Sequence, residues 1–286
     1  MNDIPSITQL DKTFLEFHPE TWADVFHIAV QLEGWAFRGQ SCAIWGLKTS
    51  LERSYRHISP TITKSHFEKN VLDRFMRGAH HFVTCLPDPK NTLEWLAMIQ
   101  HHGGPTRLLD FTKSFYIAAF FALEMADSVA AVWCLNTDRL RQTSKEWLSL
   151  IGEEEGGSDE VICNKIIDEG HDILATIIAE PFRLNERLIA QQGVFVVPCS
   201  LNHDVEKCLF NTIVDKDLAI DTAEIDSSHM LLGTFPTYGK VLKIFLPKAT
   251  HADARKALKN MNINAATLFP GLDGFARSLN FYDSGQ

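Results

Sequence analysis

The segment Phe115–Met125 is nearly all apolar, and it constrains the fold more than any other stretch of the chain. A helix without a polar face is buried on most sides, so other elements must pack around this one. The segment is too short to cross a membrane, which takes about 18 apolar residues or more, and no such run occurs elsewhere. We therefore expect a core helix and no membrane span.

Helical and strand-like patterns alternate around this segment. Helices are predicted where apolar residues recur every three or four positions, and strands where β-branched runs lie between turn residues. The predicted helices are Pro19–Glu33, 63–83, Leu93–Gln100, Phe115–Met125, Arg139–Ile151, about 251–261 and 271–280. The predicted strands are Trp35–Gly39, Thr106–Thr112, Ala130–Leu135, Ile173–Ile178, Gly193–Val197 and Val241–Leu246.

This interspersed pattern predicts an α+β (mixed α/β) fold with a small central sheet and helical insertions. No linker rich in Pro, Gly or Ser marks a boundary, so residues 1–286 are predicted to form a single domain. Within it, residues 1–19 are expected to be an N-terminal extension. Residues 152–160, which include the run Glu-Glu-Glu-Gly-Gly-Ser-Asp, are expected to be a surface loop.

The charge of the chain is segregated along its length. The whole chain of 286 residues has 27 Lys and Arg against 36 Asp and Glu, a net charge of -9. That balance argues against attachment to nucleic acid or a membrane by bulk charge. Residues 34–115, however, have 11 Lys and Arg against 6 Asp and Glu. A local basic site is therefore expected in this region.

The cysteines and the start of the chain indicate a cytoplasmic protein. Six cysteines are scattered without a Cys-x-x-Cys pair, and four of them have apolar neighbours, which favours reduced, buried thiols over a disulfide framework. The start, Met-Asn-Asp-Ile-Pro, lacks the basic and apolar regions of a signal peptide.

Arg38 ends a predicted strand and is followed by Gly39. A guanidinium at that position can direct its donors at a phosphate or carboxylate, and the glycine would let such a ligand approach the backbone. The alternative is an ion pair between Arg38 and a buried carboxylate such as Asp110. The tripeptide alone does not decide between them.

The strand Thr106–Thr112 is expected to alternate its side chains between two faces. One face has Leu108, Asp110 and Thr112, and the other has Arg107, Leu109 and Phe111. Asp110 and Thr112 could orient the hydroxyl groups of a ligand. They could equally cap the helix that begins near Phe115.

Two further groups of polar residues are candidates for the site. His101 and His102 lie at a predicted helix end, where one of them could be a general acid or base or could only favour the helix dipole. Gln191 and Gln192 precede a strand and lie at a site edge or on the surface. Glu180 and Glu186 are nearby carboxylates, and strand register decides which of these four residues faces a cleft.

Several common signatures do not occur in the sequence. There is no P-loop, no Gly-x-Gly-x-x-Gly after a strand and no Gly-x-Ser-x-Gly. His-Glu-x-x-His is also absent, and no third ligand stands at a recognisable spacing from the two histidines. No metal site is expected.

Three segments together resemble a known family. They are Phe37-Arg38-Gly39-Gln40 with Trp45–Arg53, Gln100–Thr112 running into the apolar helix, and Asn185–Phe195. With the closing Leu268–Gly274, they resemble the FRG-domain family, named for its Phe/Tyr-Arg-Gly motif. One departure is Gly104, where the family tends to have a larger residue.

The order of the segments is also similar to that of the ADP-ribosyltransferases. That group has an aromatic-Arg/His-Gly strand, then a Ser/Thr-rich strand leading into an Ala/Phe helix, then a Glu or Gln near a later strand. This resemblance implies an ADP-ribosyltransferase-like core and NAD as the substrate. Here the third segment supplies Gln191, which cannot act as a base.

The resemblance implies roles for particular residues. Contacts to NAD are expected from Phe37, Arg38, Gly39, Gln40, Gln100 and Arg107. Catalytic roles are expected for Arg38, Asp110, Thr112, Gln191 and His101. Arg38 would hold the phosphates or ribose, and Gln191 the nicotinamide ribose.

The implied function is that of a toxin or phage-defence effector that uses NAD to modify a macromolecule. The basic region 34–115 slightly favours RNA over protein as the acceptor, and a neutralising antitoxin is an expected partner. One alternative is a metal-independent RNA nuclease that uses Arg38, His101 and Arg107. Another is a non-catalytic module that binds a nucleotide or a partner through Arg38.

Overall fold

The computed structural model describes residues 15–149, 158–213 and 241–281. The strands are β1 (Leu15–Phe17), β2 (Trp35–Gln40), β3 (Leu109–Thr112), β4 (Ala130–Asn136), β5 (Thr176–Ala179), β6 (Gly193–Pro198) and β7 (Val241–Leu246). The helices are α1 (Trp22–Ala29), α2 (Ser50–Tyr55), α3 (Lys64–Ala79), α4 (Thr92–His101), α5 (Phe115–Glu124), α6 (Thr137–Ser149), α7 (Asp159–Asp168), α8 (Glu186–Ala190), α9 (Val205–Ile213), α10 (His251–Asn260), α11 (Ala265–Leu268) and α12 (Leu272–Ser278).

The strands form one mixed sheet. Their order is β1-β7-β4-β2-β3-β6-β5, with β1 parallel to β7 and the other neighbouring pairs antiparallel. Helices interrupt the strands along the chain, so the predicted α+β fold is confirmed.

The apolar segment 115–125 is the central helix α5, as predicted. Its small residues Ala118, Ala119 and Ala122 are fully buried against the β2 and β4 side of the sheet. Helices α1 and α10 complete this part of the core. The helix can lie this close to the strands because its facing side chains are small.

Two further core clusters cover the rest of the sheet. Apolar residues of β3, β4 and β6 pack with α6 and α9 in one cluster, and the other side of β5 and β6 packs with α4 and α7 in the second. Alternate residues of β6 belong to different clusters, as the two-residue period of a strand requires.

The predicted strands at 35–39, 130–135, 193–197 and 241–246 are confirmed with ends that agree within one residue. The strand predicted at 106–112 is shorter than expected and begins at Leu109. Thr106 instead exchanges hydrogen bonds with the start of α2, because its backbone N–H donates to Ser50 Oγ and its carbonyl accepts from the Leu51 N–H. The strand predicted at 173–178 begins three residues late, at Thr176.

The structure describes only parts of the two segments that were predicted as an N-terminal extension and a surface loop. Residues 15–17 of the expected N-terminal extension form the edge strand β1. Most of the expected loop at 152–160 lies outside the described residues, and its last part begins helix α7, which Ser158 caps through its side chain. Helices α2, α7, α8, α9 and α11 were not predicted.

The cysteines agree with the expectation of free thiols. All six are unpaired, and Cys134, Cys163, Cys199 and Cys208 are buried. In the part of the chain that the structure describes, no helix is long and apolar enough to cross a membrane.

Candidate active site

The sheet opens between its two central strands. Strands β2 and β3 share a single registered pair, Phe37 with Thr112, whereas β2 follows β4 over its whole length. Beyond that pair, residues from both strands line a cleft with a volume of about 880 Å³. This volume is within the range of small-molecule sites.

Arg38 bridges the opening between these strands. Its Nη1 donates to the backbone carbonyl of Asp110 at 2.7 Å, and not to the carboxylate that the sequence offered as a partner. Its Nε is buried and has no hydrogen-bond partner among the described residues. Burial lowers the pKa of Arg38, the nearby charge of Asp110 opposes this shift, and that of Arg53 adds to it. Arginine stays charged in proteins, and the Nε of Arg38 is a donor that no described protein atom satisfies. Both features favour an anionic ligand.

A glycine is required at position 39, but for a different reason from the ligand approach that its motif suggested. A Cβ at this position would overlap the carbonyl oxygen of Ala118 and would lie 2.5 Å from the backbone nitrogen of Ala122. Helix α5 therefore fills the space beside Gly39 that we expected a ligand to use. The glycine allows the helix to pack directly on the strand that holds Arg38.

Gly39→Ala is expected to lower the free energy of unfolding by about 1–3 kcal/mol or more, because two backbone segments would have to separate. Chemical denaturation measures this change. The matched control is Gly78→Ala in helix α3, where an added Cβ would meet nothing within 4 Å. The control is expected to be neutral or to stabilise the protein by up to about 1 kcal/mol. Equal effects at the two sites would contradict the packing role of Gly39.

The Asp110 carboxylate is held in the cleft by a relay of side chains. Thr106 Oγ1 donates to Gln100 Oε1, and Gln100 Nε2 then donates to Asp110 Oδ1 at 2.8 Å. No hydrogen bond from the described residues reaches Asp110 Oδ2. Gln100 thus orients the carboxylate and leaves one oxygen available for a ligand.

Three other predicted residues line the cleft but have partners within the protein. Thr112 Oγ1 accepts from the Ser114 N–H at 3.1 Å, and Ser114 is the N-cap of α5. The buried Gln40 amide donates to the Gly46 carbonyl at 3.0 Å and accepts from Trp133 Nε1 at 2.9 Å. Phe37 packs edge-on against Phe115 of α5. These contacts shape the walls of the cleft.

Of the four residues whose orientation depended on register, Gln191 lines the cleft. Its Nε2 donates to the carbonyl of Leu268 at 3.0 Å and so fixes the segment before Phe269. Glu180 pairs instead with Lys113 and Arg141. Gln192 and Glu186 are exposed outside the cleft.

His101 is the last residue of α4 and also lines the cleft. Burial lowers its pKa, and the neighbouring charges of His102 and Arg187 lower it further. The lowered pKa favours the neutral imidazole, which is the form that can accept a proton.

Arg107 lies away from the cleft, although it was expected to contact the ligand. Its guanidinium forms a bidentate pair with Glu68 of α3, and both side chains are buried. Arg107 precedes β3, which begins at Leu109, so it does not share a strand face with Leu109 and Phe111 as we predicted; those two residues pack in the cluster of α6 and α9. Burial alone would lower the pKa of Arg107, but the charge of Glu68 raises it overall.

One wall of the cleft was missed by the sequence analysis. Phe269 lies under two guanidinium groups, at 4.7 Å from that of Arg187 and 4.1 Å from that of Arg277. Arg277 is also paired with the buried carboxylate of Glu124. The Arg187 guanidinium makes no hydrogen bond or ion pair within the described ranges, so it is a second available cation. Arg277 and Glu124 are 153 positions apart, and no sequence pattern linked them.

The charges of the cleft are unbalanced in favour of cations. Six lining residues are Lys or Arg: Arg38, Lys48, Arg53, Arg56, Arg187 and Arg277. The lining carboxylates among the described residues are Asp110 and Glu124. An excess of cations in an acidic protein favours an anionic ligand. The described residues include no group of three or more His, Cys, Asp or Glu that could hold a metal ion.

Comparisons with known proteins identify one domain. A search of the curated proteins and a search of the solved structures gave no match. Residues 33–130 match the family model of the FRG domain. This range includes Arg38, Gln100 and Asp110, whereas Arg187 and Gln191 lie beyond it. The chain therefore contains an FRG domain at residues 33–130, and this domain supplies the bridging arginine of the cleft.

Proposed function

We propose that this protein is an NAD-dependent ADP-ribosyltransferase-like enzyme that acts on a macromolecule. The observation that carries the proposal is Arg38, whose buried Nε has no hydrogen-bond partner in the described chain and whose side chain lines a cleft rich in cations. A guanidinium in this state suits a phosphate group, which accepts two of its donors at once. The pyrophosphate of NAD supplies such a group.

The arrangement of the three motif segments supports NAD over other phosphate esters. Phe37 is paired with Thr112, and Thr112 is paired in turn with Gly193 on the next strand. The segments that resemble the ADP-ribosyltransferase motifs in order are thus adjacent in space. Arg38, Thr112 and Gln191 all line one cleft.

The proposed reaction needs little covalent chemistry from the protein. The bond between the nicotinamide nitrogen and C1′ of its ribose breaks, and its electron pair neutralises the pyridinium nitrogen. The ribose becomes an oxocarbenium ion, which a nearby carboxylate stabilises. A nucleophile of the acceptor then forms a bond to C1′ and loses its proton, and nicotinamide leaves.

Asp110 is the carboxylate that we assign to this step. Among the described carboxylates in the cleft, Glu124 is occupied by Arg277, whereas Asp110 has one oxygen without a partner. Asp110 would thus take the place of the third-motif carboxylate that the sequence lacks. Gln100 keeps it in position.

Asp110→Asn is expected to lower nicotinamide release from NAD by about 100-fold, because it removes the negative charge but can still accept the Gln100 hydrogen bond. The matched control is Glu186→Gln, which neutralises an exposed carboxylate outside the cleft. The control should retain the wild-type rate. Full activity in Asp110→Asn would contradict the assignment, and loss in Glu186→Gln would redirect it to α8.

A second candidate function is metal-independent cleavage of RNA. The observation that favours it is His101, a neutral imidazole in a cleft lined by arginines. Such a residue can remove the proton from a 2′-hydroxyl group. This reaction would break RNA chains in the absence of NAD, which distinguishes it from the proposed transfer.

The biological setting remains a prediction from the resemblance. Depletion of NAD or an inactivating modification of RNA would harm the cell, which fits a toxin or a phage-defence effector. Such a protein requires a neutralising partner. We expect that partner to cover the cleft.

A further inference from the structure

One rim of the cleft has three cations without ion-pair partners. Lys48, Arg53 and Arg56 are exposed, line the cleft, and form no ion pair with any of the described residues. Arg53 Nη1 donates to the Lys48 carbonyl at 2.6 Å, which leaves its other donors available. These residues belong to helix α2 and its flanks. We call Lys48, Arg53 and Arg56 the basic rim.

An exposed aromatic side chain lies beside the basic rim. Trp45 is 55% exposed, and the adjoining Ile44 is 90% exposed. Both precede Lys48 by only a few residues, and both line the cleft. Large apolar side chains that remain exposed beside a charged site commonly mark a binding surface.

The loop that presents Trp45 is fixed at several points. Gln40 donates to the carbonyl of Gly46 at 3.0 Å, and the Leu47 N–H donates to Glu206 Oε1 at 2.6 Å. Gly46 leaves room for the Glu206 carboxylate, which would lie 2.6 Å from an added Cβ. The backbone next to the exposed indole is therefore held in place before a ligand arrives, which reduces the entropy cost of binding.

We propose that the basic rim and Trp45 bind a single-stranded nucleic acid as the acceptor of the transfer reaction. Its phosphates would contact Lys48, Arg53 and Arg56, and one unpaired base would stack on Trp45. Such a combination of cations with an aromatic platform is typical of single-strand binding. An acidic peptide would use the cations but would leave the indole without a partner. The identification of the strand as the acceptor rests on the proposed function.

The position of the rim supports an acceptor in particular. Arg53 lies close enough to Arg38 to lower the pKa of that guanidinium, and both line the same cleft. A strand held on the rim would thus reach the region assigned to NAD. The remainder of the chain is acidic, so binding would be confined to this rim.

The test is fluorescence anisotropy with a labelled 12-nucleotide oligo-uridine RNA, measured over a series of salt concentrations without NAD. Lys48→Gln, Arg53→Gln and Arg56→Gln combined should weaken binding at least 10-fold and lower the salt slope by about 2, since three phosphate contacts are lost. Trp45→Ala should weaken binding about 10-fold. The matched control combines Lys248→Gln, Lys256→Gln and Lys259→Gln, which are exposed outside the cleft, and should stay within about 2-fold of wild type.

The same experiment controls for changes in the fold of the variants and for ligands other than single-stranded RNA. The double variant Lys48→Gln with Arg56→Gln keeps the Arg53 hydrogen bond, so weaker binding by it cannot be ascribed to the loss of that bond. Equal binding of single-stranded and duplex RNA would overturn the proposal, as would a rim variant that binds like wild type. Tighter binding of poly-glutamate than of RNA would also overturn it and indicate a protein acceptor.

Nicotinamide release without an acceptor separates this inference from the proposed function. A rim variant that loses RNA binding but still releases nicotinamide supports an acceptor site. If wild type binds RNA through the rim but leaves NAD intact under all conditions, the proposed function fails. The acceptor role then fails with it, and the rim is only a nucleic-acid site.

Discussion

Arg38→Ala is expected to reduce nicotinamide release from NAD by about 100-fold or more while the protein remains folded. The loss follows because Arg38 is the cation at the opening between β2 and β3, and its Nε has no hydrogen-bond partner among the described residues. The free energy of unfolding of Arg38→Ala should differ from that of wild type by less than about 1 kcal/mol. The lost hydrogen bond to the Asp110 carbonyl destabilises the fold, but removal of a buried unpaired donor offsets it.

The conservative variant Arg38→Lys sharpens this prediction. Lysine keeps the charge but lacks the planar fork that contacts a phosphate with two parallel bonds, so most of the activity should still be lost. Lys256→Ala, an exposed cation of α10, is the control and should retain full activity. Thermal melting checks the fold of each variant. An Arg38→Ala protein that melts like wild type and releases nicotinamide at the wild-type rate would contradict the role of Arg38.

Glu68→Ala is expected to give the largest loss of stability, about 3–5 kcal/mol. Glu68 and Arg107 are 4% and 5% exposed, and they form a bidentate pair between α3 and the segment before β3. Removal of the carboxylate leaves the guanidinium charged and buried, with only a long 3.5 Å bond to the Pro198 carbonyl. Urea denaturation measures the change in the free energy of unfolding.

The double variant Glu68→Leu with Arg107→Met separates structure from ligand binding. Two apolar side chains of similar volume commonly replace a buried ion pair without loss of stability. We expect the double variant to recover most of the stability and to release nicotinamide like wild type. A stable double variant without activity would instead restore Arg107 to the ligand site, where the resemblance had placed it.

The sequence predicted the elements whose signals are local. Phe115–Met125 has apolar residues on every side, and this pattern is sufficient for a buried helix whatever surrounds it. The β-branched run Val241–Leu246 lies between turn residues, and its strand has those same bounds. In both cases neighbouring residues in the chain supply the whole signal.

The elements that differ from the prediction depend on contacts between distant parts of the chain. The sequence pattern predicted that Thr106 belongs to a strand, yet its backbone is hydrogen-bonded to the start of α2, more than 50 residues earlier. The motif predicted that Gly39 lets a ligand approach the backbone, yet α5 occupies the space beside it. A local sequence pattern does not show which distant segment of the chain will pack against it.

The candidate site divides in the same way. Arg38, Gln100, Asp110 and Gln191 were predicted from motif segments, and the cleft brings them together. The wall of Arg187, Phe269 and Arg277 needs residues from α8 and the C-terminal helices. Their proximity follows from the order of strands and from the bond between Gln191 and the Leu268 carbonyl. Neither can be derived from the spacing of residues.

The most direct test of the proposed function is nicotinamide release from radiolabelled NAD by the purified wild-type protein, with and without total RNA. Slow release without RNA, faster release when RNA is added, and transfer of the adenylate label to RNA are the predicted result. Intact NAD in every mixture, with an active known ADP-ribosyltransferase as the positive control, would contradict it. RNA cleavage in those same mixtures would then favour His101 and the nuclease function.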